Sequence, residues 1–250
     1  MNKPLIYALD FDGVICDSAV ETAITGWKAG LNVWSDMVEA MPSDNQIDQF
    51  RELRPALETG YEAILLMRLV YLGESIDSIL SNNLARVHQL LLEIDQSADD
   101  LKRLFGETRD TWIEQSLSEW VCMNPLFDGV ASQLQQLTGH DWYIVTTKQE
   151  RFVEKILQAN QIELSAKNIF GLDKRMSKEA VLTDLLVKHE ANQICFIEDR
   201  LPTLLNVLAN PALDSIDVQL VDWGYNTAAD KAVAHEKGIQ LIALQEFLQH

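Results

Sequence analysis

The chain has 250 residues, with 38 Asp plus Glu against 20 Lys plus Arg and a formal charge of −18. This length can bury a full core, either in one large domain or in a domain with an insert. The acidic surplus argues against nucleic acid and anionic membranes as partners, because both bind basic surfaces. A small anionic substrate is still compatible with this net charge, since a single pocket can be positive on an acidic protein.

Targeting signals are not expected in this sequence. Asp10 interrupts the first apolar stretch too early for a signal peptide. Other apolar runs fall short of the roughly 18 to 20 residues that a membrane span needs. The three cysteines, Cys16, Cys122 and Cys195, are far apart, which is typical of buried, reduced thiols. We therefore expect a cytoplasmic protein.

The first predicted element is a buried strand at residues 5–9, which is followed directly by DFDGV at 10–14. Residues 17–124 then follow the 3.6-residue helical period and contain no strand candidate. This segment has 19 acidic and 8 basic side chains. We predict an acidic, all-helical insert that ends where Pro125 stops its last helix.

Strand and helix patterns alternate beyond residue 125. The predicted helices cover 148–160 and 177–189, and the predicted strands cover 142–146, 168–170, 194–197, 218–221 and 239–244. Such alternation indicates a parallel sheet with helices on both faces. The predicted fold class is therefore α/β. A Rossmann-like parallel sheet would be formed by residues 1–16 and 125–250, and a separate helical domain by residues 17–124.

Polar side chains cluster where the predicted strands end, or at the start of a helix that leads into a strand. They are Asp10 and Asp12 after the first strand, Thr146 and Thr147 after the second, Lys178 at a helix start, and Glu198 with Asp199 after the strand at 194–197. Each cluster alone has a structural explanation, such as a turn or a helix N-cap. In an open parallel sheet, however, ligands bind beyond the carboxyl ends of the strands. Together the clusters predict one shared site.

The order of these motifs resembles the haloacid dehalogenase superfamily, in the branch that has a helical cap inserted after the first strand. Four pieces along the core carry the resemblance: DFDGV at 10–14, VTTK at 145–148, Lys178, and IEDR at 197–200. WGY at 223–225 is a looser match. The chain looks similar to members such as phosphoglycolate phosphatase and β-phosphoglucomutase.

The resemblance implies a Mg²⁺-dependent phosphatase that acts on a small phosphorylated metabolite through an aspartyl-phosphate intermediate. In this pattern Asp10 is the nucleophile, and Asp12 is the general acid and base. Two carboxylates so close together repel, and a hard divalent cation relieves the repulsion. The phosphate-binding residues would be Thr146 and Lys178, and the metal ligands would be the Asp10 carboxylate, the Asp12 backbone carbonyl, Glu198 and Asp199.

Departures from the family pattern leave alternatives open. Thr203 stands where many relatives carry a second aspartate. IEDR resembles the relatives that carry a Glu-Asp pair instead, so both Glu198 and Asp199 are expected to contact the metal, and either can be the main ligand. An acid at Asp12 favours a phosphatase, because the leaving oxygen of a phosphate ester needs a proton. A phosphomutase acting on a sugar phosphate has the same motif and is the alternative enzyme. A non-catalytic regulatory relative is the alternative from another class.

Arg51 and Arg54 form a basic pair in the otherwise acidic insert. One of them could bind a second anionic group of the substrate. The more common explanation for such a pair is a set of surface salt bridges to neighbouring glutamates. Pro55 favours a helix that begins near that position.

Overall fold

The computed structural model describes residues 4–80, 85–137 and 140–249. The chain divides into two compact units. One unit, the core unit, combines Met1–Asp17 with Pro125–His250, and the other, the helical unit, is Ser18–Asn124. Asp17, which the sequence assigned to the insert, lies in the core unit.

The helical unit consists of helices and connecting loops, and its described residues contain no strand. Residues 63–70 are all buried, and all of them except Arg68 belong to its apolar core. Ser43 and Ser97 each begin a helix with a reciprocal capping box. The role of this unit as a cap stays a prediction. The helices are α1 (Ala19–Val33), α2 (Asp44–Leu53), α3 (Glu62–Tyr71), α4 (Ile76–Leu80), α5 (Ala85–Glu93) and α6 (Ala98–Cys122).

The core unit is built on a six-stranded sheet in which every neighbouring pair is parallel. The strand order is β3-β2-β1-β4-β5-β6. The α/β fold class predicted from the alternation of strands and helices is therefore confirmed. The strands are β1 (Leu5–Leu9), β2 (Trp142–Val145), β3 (Ile169–Phe170), β4 (Gln193–Glu198), β5 (Asp217–Val221) and β6 (Gln240–Ile242).

Helices of the core unit alternate with these strands along the chain. Ile194, Phe196 and Ile197 in β4 are all fully buried, which explains why this strand has an unbroken apolar run instead of alternation. None of the helices in the described part of the chain combines the length and apolar character that a membrane crossing requires. The helices are α7 (Val130–Gln136), α8 (Glu150–Ala159), α9 (Lys178–Lys188), α10 (Leu201–Leu208), α11 (Ala228–Glu236) and α12 (Leu244–Phe247).

Three expectations differ from the structure. The last strand ends at Ile242, and the apolar residues after it begin α12. Helix α8 begins at Glu150, so Lys148 lies in the loop between β2 and this helix. Cys122 is exposed at the end of α6, whereas the other two thiols are buried and all three are free. The expectation of three buried thiols was wrong at Cys122, because the number and spacing of the cysteines do not determine which side of a helix each thiol lies on.

Candidate active site

The strand order reverses beside β1, at the centre of the sheet. β2 and β3 extend the sheet on one side of β1, and β4 to β6 extend it on the other. Leu9 pairs with Ile197, and the Asp10 N–H donates to the Ile197 carbonyl oxygen at 2.9 Å. Asp10 and Glu198 therefore leave neighbouring strands side by side, at the point where open parallel sheets bind ligands.

Three carboxylates converge at this edge of the sheet. Asp10, Glu198 and Asp199 are buried, and each contributes one oxygen to a group whose members lie within 4.8 Å of one another. Burial, reinforced by Glu198, raises the pKa of Asp10 to about 7 against the opposing charge of Lys178. Burial also raises the pKa of Glu198, with Lys178 opposing and Asp199 adding to the shift. A bound cation would favour the ionised form of both groups.

Lys178 is the first residue of α9, which Ser177 caps by accepting the Ala180 N–H. Its ammonium nitrogen lies 2.7 Å from Glu198 Oε2 and 2.9 Å from Asp10 Oδ1. Burial alone would lower the pKa of Lys178, but the two carboxylates outweigh burial and hold this pKa above its ordinary value. The lysine is therefore a fixed positive charge beside the carboxylates.

Asp12 is not part of this group of three carboxylates, and its side chain has a different partner. The Lys148 ammonium donates to Asp12 Oδ1 at 3.0 Å, and the Lys148 side chain is fully buried. The sequence interpretation included Lys148 in VTTK but gave it no role. The only sequence signal for Lys148 was its position shortly after an apolar strand. Its partner Asp12 lies 136 positions away, so the sequence did not indicate that the two side chains meet.

Gly13 turns the chain sharply after β1. Its φ of +90° lies in the left-handed region that favours glycine. A Cβ at this position would lie 2.1 Å from Asp199 Oδ2. The Cys16 N–H donates to the Phe11 carbonyl oxygen at 2.9 Å and closes the turn. Glycine is needed here both for the turn and for the space that Asp199 occupies.

Thr146 follows β2 directly and is buried. Its N–H donates to the Phe170 carbonyl oxygen at 2.8 Å, and its hydroxyl accepts the Lys148 N–H at 3.2 Å. A hydroxyl that accepts one hydrogen bond can still donate its proton. The parallel register of β2 with β1 puts Thr146 at the same edge of the sheet as Asp10.

Asp199 is held by the loop that follows β5, which the sequence did not identify as part of the site. The Tyr225 backbone N–H donates to Asp199 Oδ2 at 2.8 Å, and the Asn226 amide donates to the Asp199 carbonyl oxygen at 3.0 Å. A Cβ at Gly224 would lie 2.4 Å from the Asp199 Cβ. The WGY motif at 223–225 was the available sequence signal, but a motif does not indicate which strand end its loop contacts.

The donor set fits a divalent cation. When all are ionised, the carboxylates of Asp10, Asp12, Glu198 and Asp199 outnumber the ammonium groups of Lys148 and Lys178. Carboxylate oxygens are preferred ligands of hard cations such as Mg²⁺. Asp10, Glu198 and Asp199 could hold the ion directly. The ion pair with Lys148 involves only the Asp12 side chain. The predicted contact between the cation and the Asp12 backbone carbonyl stays a prediction.

Arg51 and Arg54 in the helical unit differ in their environment. Arg51 lies exposed in the last turn of α2, whereas Arg54 follows the end of this helix and is buried. Arg54 donates from Nη1 to the Leu57 carbonyl oxygen at 3.3 Å. Pro55 lies in the short 3₁₀ turn Arg54–Ala56 instead of beginning an α-helix. The role of either arginine in binding an anionic group stays a prediction.

Several solved structures with the same fold are described as phosphatases or hydrolases. A crystal structure described as a predicted phosphoglycolate phosphatase from Haemophilus somnus matches with a TM-score of 0.60 and 17% identity, over 99% of this chain and 96% of that chain. A predicted phosphatase from Clostridium acetobutylicum matches with a TM-score of 0.55 and 16% identity, over 100% and 98% of the two chains. A haloacid dehalogenase-like family hydrolase from Streptococcus pneumoniae matches with a TM-score of 0.50 and 18% identity, over 97% and 94%.

Sequence comparisons did not add to this result. No protein-family model matches the chain, and no curated protein matches it either. Because the sequence identities are below one fifth, the structural likeness establishes a shared fold and not a shared activity. The chain has the haloacid dehalogenase-like fold, as the motif order predicted.

Proposed function

We propose that the protein is a phosphatase that hydrolyses the phosphate monoester of a small metabolite and uses Mg²⁺ as cofactor. The observation that carries this proposal is the buried group of Asp10, Glu198 and Asp199, with Lys178 in contact with two of them. The group lies at the edge of the sheet where ligands bind in this fold class. The fold is also shared with proteins described as phosphatases, which supports the reaction class.

Asp10 would be the nucleophile. One oxygen of its carboxylate forms a bond to phosphorus while the bond from phosphorus to the leaving oxygen breaks, and the phosphoryl group is then on Asp10. Asp12 gives its proton to the leaving oxygen. In the second step Asp12 takes a proton from water, the water oxygen attacks phosphorus, and the bond to Asp10 breaks. Acid–base assistance of this kind contributes roughly 10²- to 10⁴-fold.

The other residues of the site would hold the phosphoryl group and orient the acid. A bound Mg²⁺ would reduce repulsion between Asp10 and the phosphate and stabilise the charge on the phosphoryl oxygens. Lys178 would stabilise the same charge from a fixed position, and the Thr146 hydroxyl would donate to a phosphoryl oxygen. Lys148 would keep the Asp12 carboxylate in one orientation through their ion pair.

Phosphate release from p-nitrophenyl phosphate tests the proposal. We expect Mg²⁺-dependent release by the wild type and a loss of at least about 10³-fold in Asp10→Asn, because the nucleophile is removed. Asp214→Asn is the matched control, since Asp214 is an exposed aspartate of the core unit outside the proposed site. Equal release by the wild type and Asp10→Asn would refute the proposal. A stable phospho-aspartate without release would instead favour a mutase.

A panel of phosphorylated metabolites would identify the substrate. It should contain small phosphorylated acids, such as phosphoglycolate, and sugar phosphates, because the reacting group is the same in both. The compound with the highest kcat/KM defines the substrate class. A flat response over the whole panel, with no Mg²⁺-dependent turnover, would contradict an enzymatic role.

A further inference from the structure

The loop after β5 contacts Asp199 with backbone and side-chain donors. The Tyr225 N–H donates to Asp199 Oδ2 at 2.8 Å, and the Asn226 amide donates both to the Asp199 carbonyl oxygen at 3.0 Å and to the Val221 carbonyl oxygen at 2.8 Å. The loop is therefore fixed both to its own strand and to a carboxylate of the proposed cation site.

The same loop also contacts the segment that follows β1. The Trp223 indole N–H donates to the Val14 carbonyl oxygen at 3.2 Å. The Tyr225 hydroxyl donates to Asp17 Oδ1 at 2.7 Å. A Cβ at Gly224 would lie 2.5 Å from the Gly13 carbonyl oxygen, so the two backbones are packed closely. Tyr225 thus contacts Asp199 through its backbone and Asp17 through its side chain.

Asp17 is the last residue of the core unit before the chain enters the helical unit. Its N–H donates to the Pro125 carbonyl oxygen at 2.9 Å, and the Phe127 N–H donates to the Ile15 carbonyl oxygen at 3.1 Å. Cys16 forms an antiparallel bridge with the residue between Pro125 and Phe127. We call residues 15–17 and 125–127 the crossover pair, since they carry the chain out of the core unit and back into it.

We propose that Tyr225 is a positioning residue that couples cation binding at Asp199 to the order of the crossover pair. The inference rests on the proposed function, because it uses the cation site. A cation that binds the Asp199 carboxylate restricts the orientation of this group. The Tyr225 backbone N–H donates to one oxygen of the same carboxylate, and the Tyr225 hydroxyl donates to Asp17. Such coupling is reciprocal. If cation binding stabilises the ordered crossover pair by a given free energy, the intact Tyr225–Asp17 hydrogen bond increases cation affinity by the same free energy.

Hydrogen–deuterium exchange with Mg²⁺ alone tests the coupling without using turnover. The amide protons of the peptide at 13–18 report on the crossover pair, and titration calorimetry measures Mg²⁺ affinity separately. Tyr225→Phe removes only the hydroxyl and leaves the backbone N–H on Asp199. Tyr7→Phe is the matched control, because it removes a tyrosine hydroxyl from β1 of the same unit. The melting temperatures of all three proteins show that each is folded.

We expect Mg²⁺ to slow exchange in the wild-type crossover pair by about tenfold, the scale of one hydrogen bond to a charged group. In Tyr225→Phe the slowing should fall below about twofold, and the Mg²⁺ dissociation constant should rise by up to about tenfold by the same reciprocity. Tyr7→Phe should behave as the wild type does.

Two results would overturn the proposal alone, with the cation site intact. In one, Mg²⁺ binds to the wild type but leaves exchange at 13–18 unchanged. In the other, Mg²⁺ slows exchange equally in the wild type and in Tyr225→Phe. Failure of Mg²⁺ to bind the wild type would overturn both this coupling and the proposed cofactor, so the two failures are distinguishable.

Discussion

Arg109 neutralises a carboxylate that has no access to solvent in the helical unit. Its Nε and Nη2 donate to Glu21 Oε1 and Oε2 at 2.8 and 2.6 Å, and the two side chains are 5% and 0% exposed. Thr25 and Trp120 also donate to Oε1, at 2.6 and 2.9 Å. Replacing Arg109 by Met keeps much of the apolar volume but removes the guanidinium group that balances the buried Glu21 carboxylate.

The expected cost of Arg109→Met is about 3–5 kcal/mol of unfolding free energy, the range for a buried ion pair that loses one partner. For a chain of this size each kcal/mol lowers the melting temperature by about 2–4 °C, so the expected fall is about 6–20 °C. The cost arises mainly from the uncompensated Glu21 charge. The double variant Glu21→Gln/Arg109→Met should therefore recover about half of the loss or more.

Thermal and urea unfolding of the purified variants measure this effect. Arg103→Met is the matched control on the same helix, since Arg103 is 63% exposed and pairs with exposed carboxylates. It should change stability by less than about 0.5 kcal/mol. The reasoning would be refuted if Arg109→Met and Arg103→Met cost the same, or if the double variant were less stable than Arg109→Met alone.

Three further outcomes are expected. Gly224→Ala should weaken Mg²⁺ binding by about tenfold or more in calorimetry, because the new Cβ displaces Asp199. Gly238→Ala is the control: Gly238 has φ of +74° and no atom within 4 Å of an added Cβ, so this variant should lower stability but not Mg²⁺ affinity. Lys148→Met should lower kcat by about 10²-fold, because it frees the proposed acid and base, while Mg²⁺ affinity stays within about threefold; an unchanged kcat would contradict the role of this ion pair. Burial and the adjacent lysine lower the pKa of His189 below its ordinary 6.5, so the unfolded chain binds the proton first and stability is lost as pH falls through 6.5. Urea unfolding at pH 7.5 and 5.5 should show a smaller loss in His189→Gln than in the wild type, and equal losses would count against this assignment.

Much of the fold could be predicted because its signals are local. The apolar run at 194–197 predicted a strand, and β4 is a strand that is buried over these residues. The helical period over residues 17–124 predicted an insert without strands, and its described residues contain none. Irregularities inside an element could not be predicted. Ser116 interrupts α6 with φ of −158° and ψ of 83°, and serine at this position does not by itself indicate such a break.

The residues that meet at the candidate site could be predicted from the order of strands in the sheet. Carboxyl ends of parallel strands lie at one edge of a sheet, so Asp10 and Glu198 could be expected to meet from their positions in the chain. The partner of each side chain could not be predicted in this way. Lys148 contacts Asp12 and not the three-carboxylate group, and Tyr225 contacts both Asp199 and Asp17.

The amino-acid sequence by itself determined the α/β class, the helical insert and the set of acidic and basic residues at the strand ends. These depend on periodicity and turn chemistry, which act over a few neighbouring residues. Only the tertiary structure decided which charges are paired. Glu21 and Arg109 are 88 positions apart, and Asp12 and Lys148 are 136 apart. Such pairs form only after strand order and helix packing have brought distant segments together, and burial then makes each unpaired charge costly.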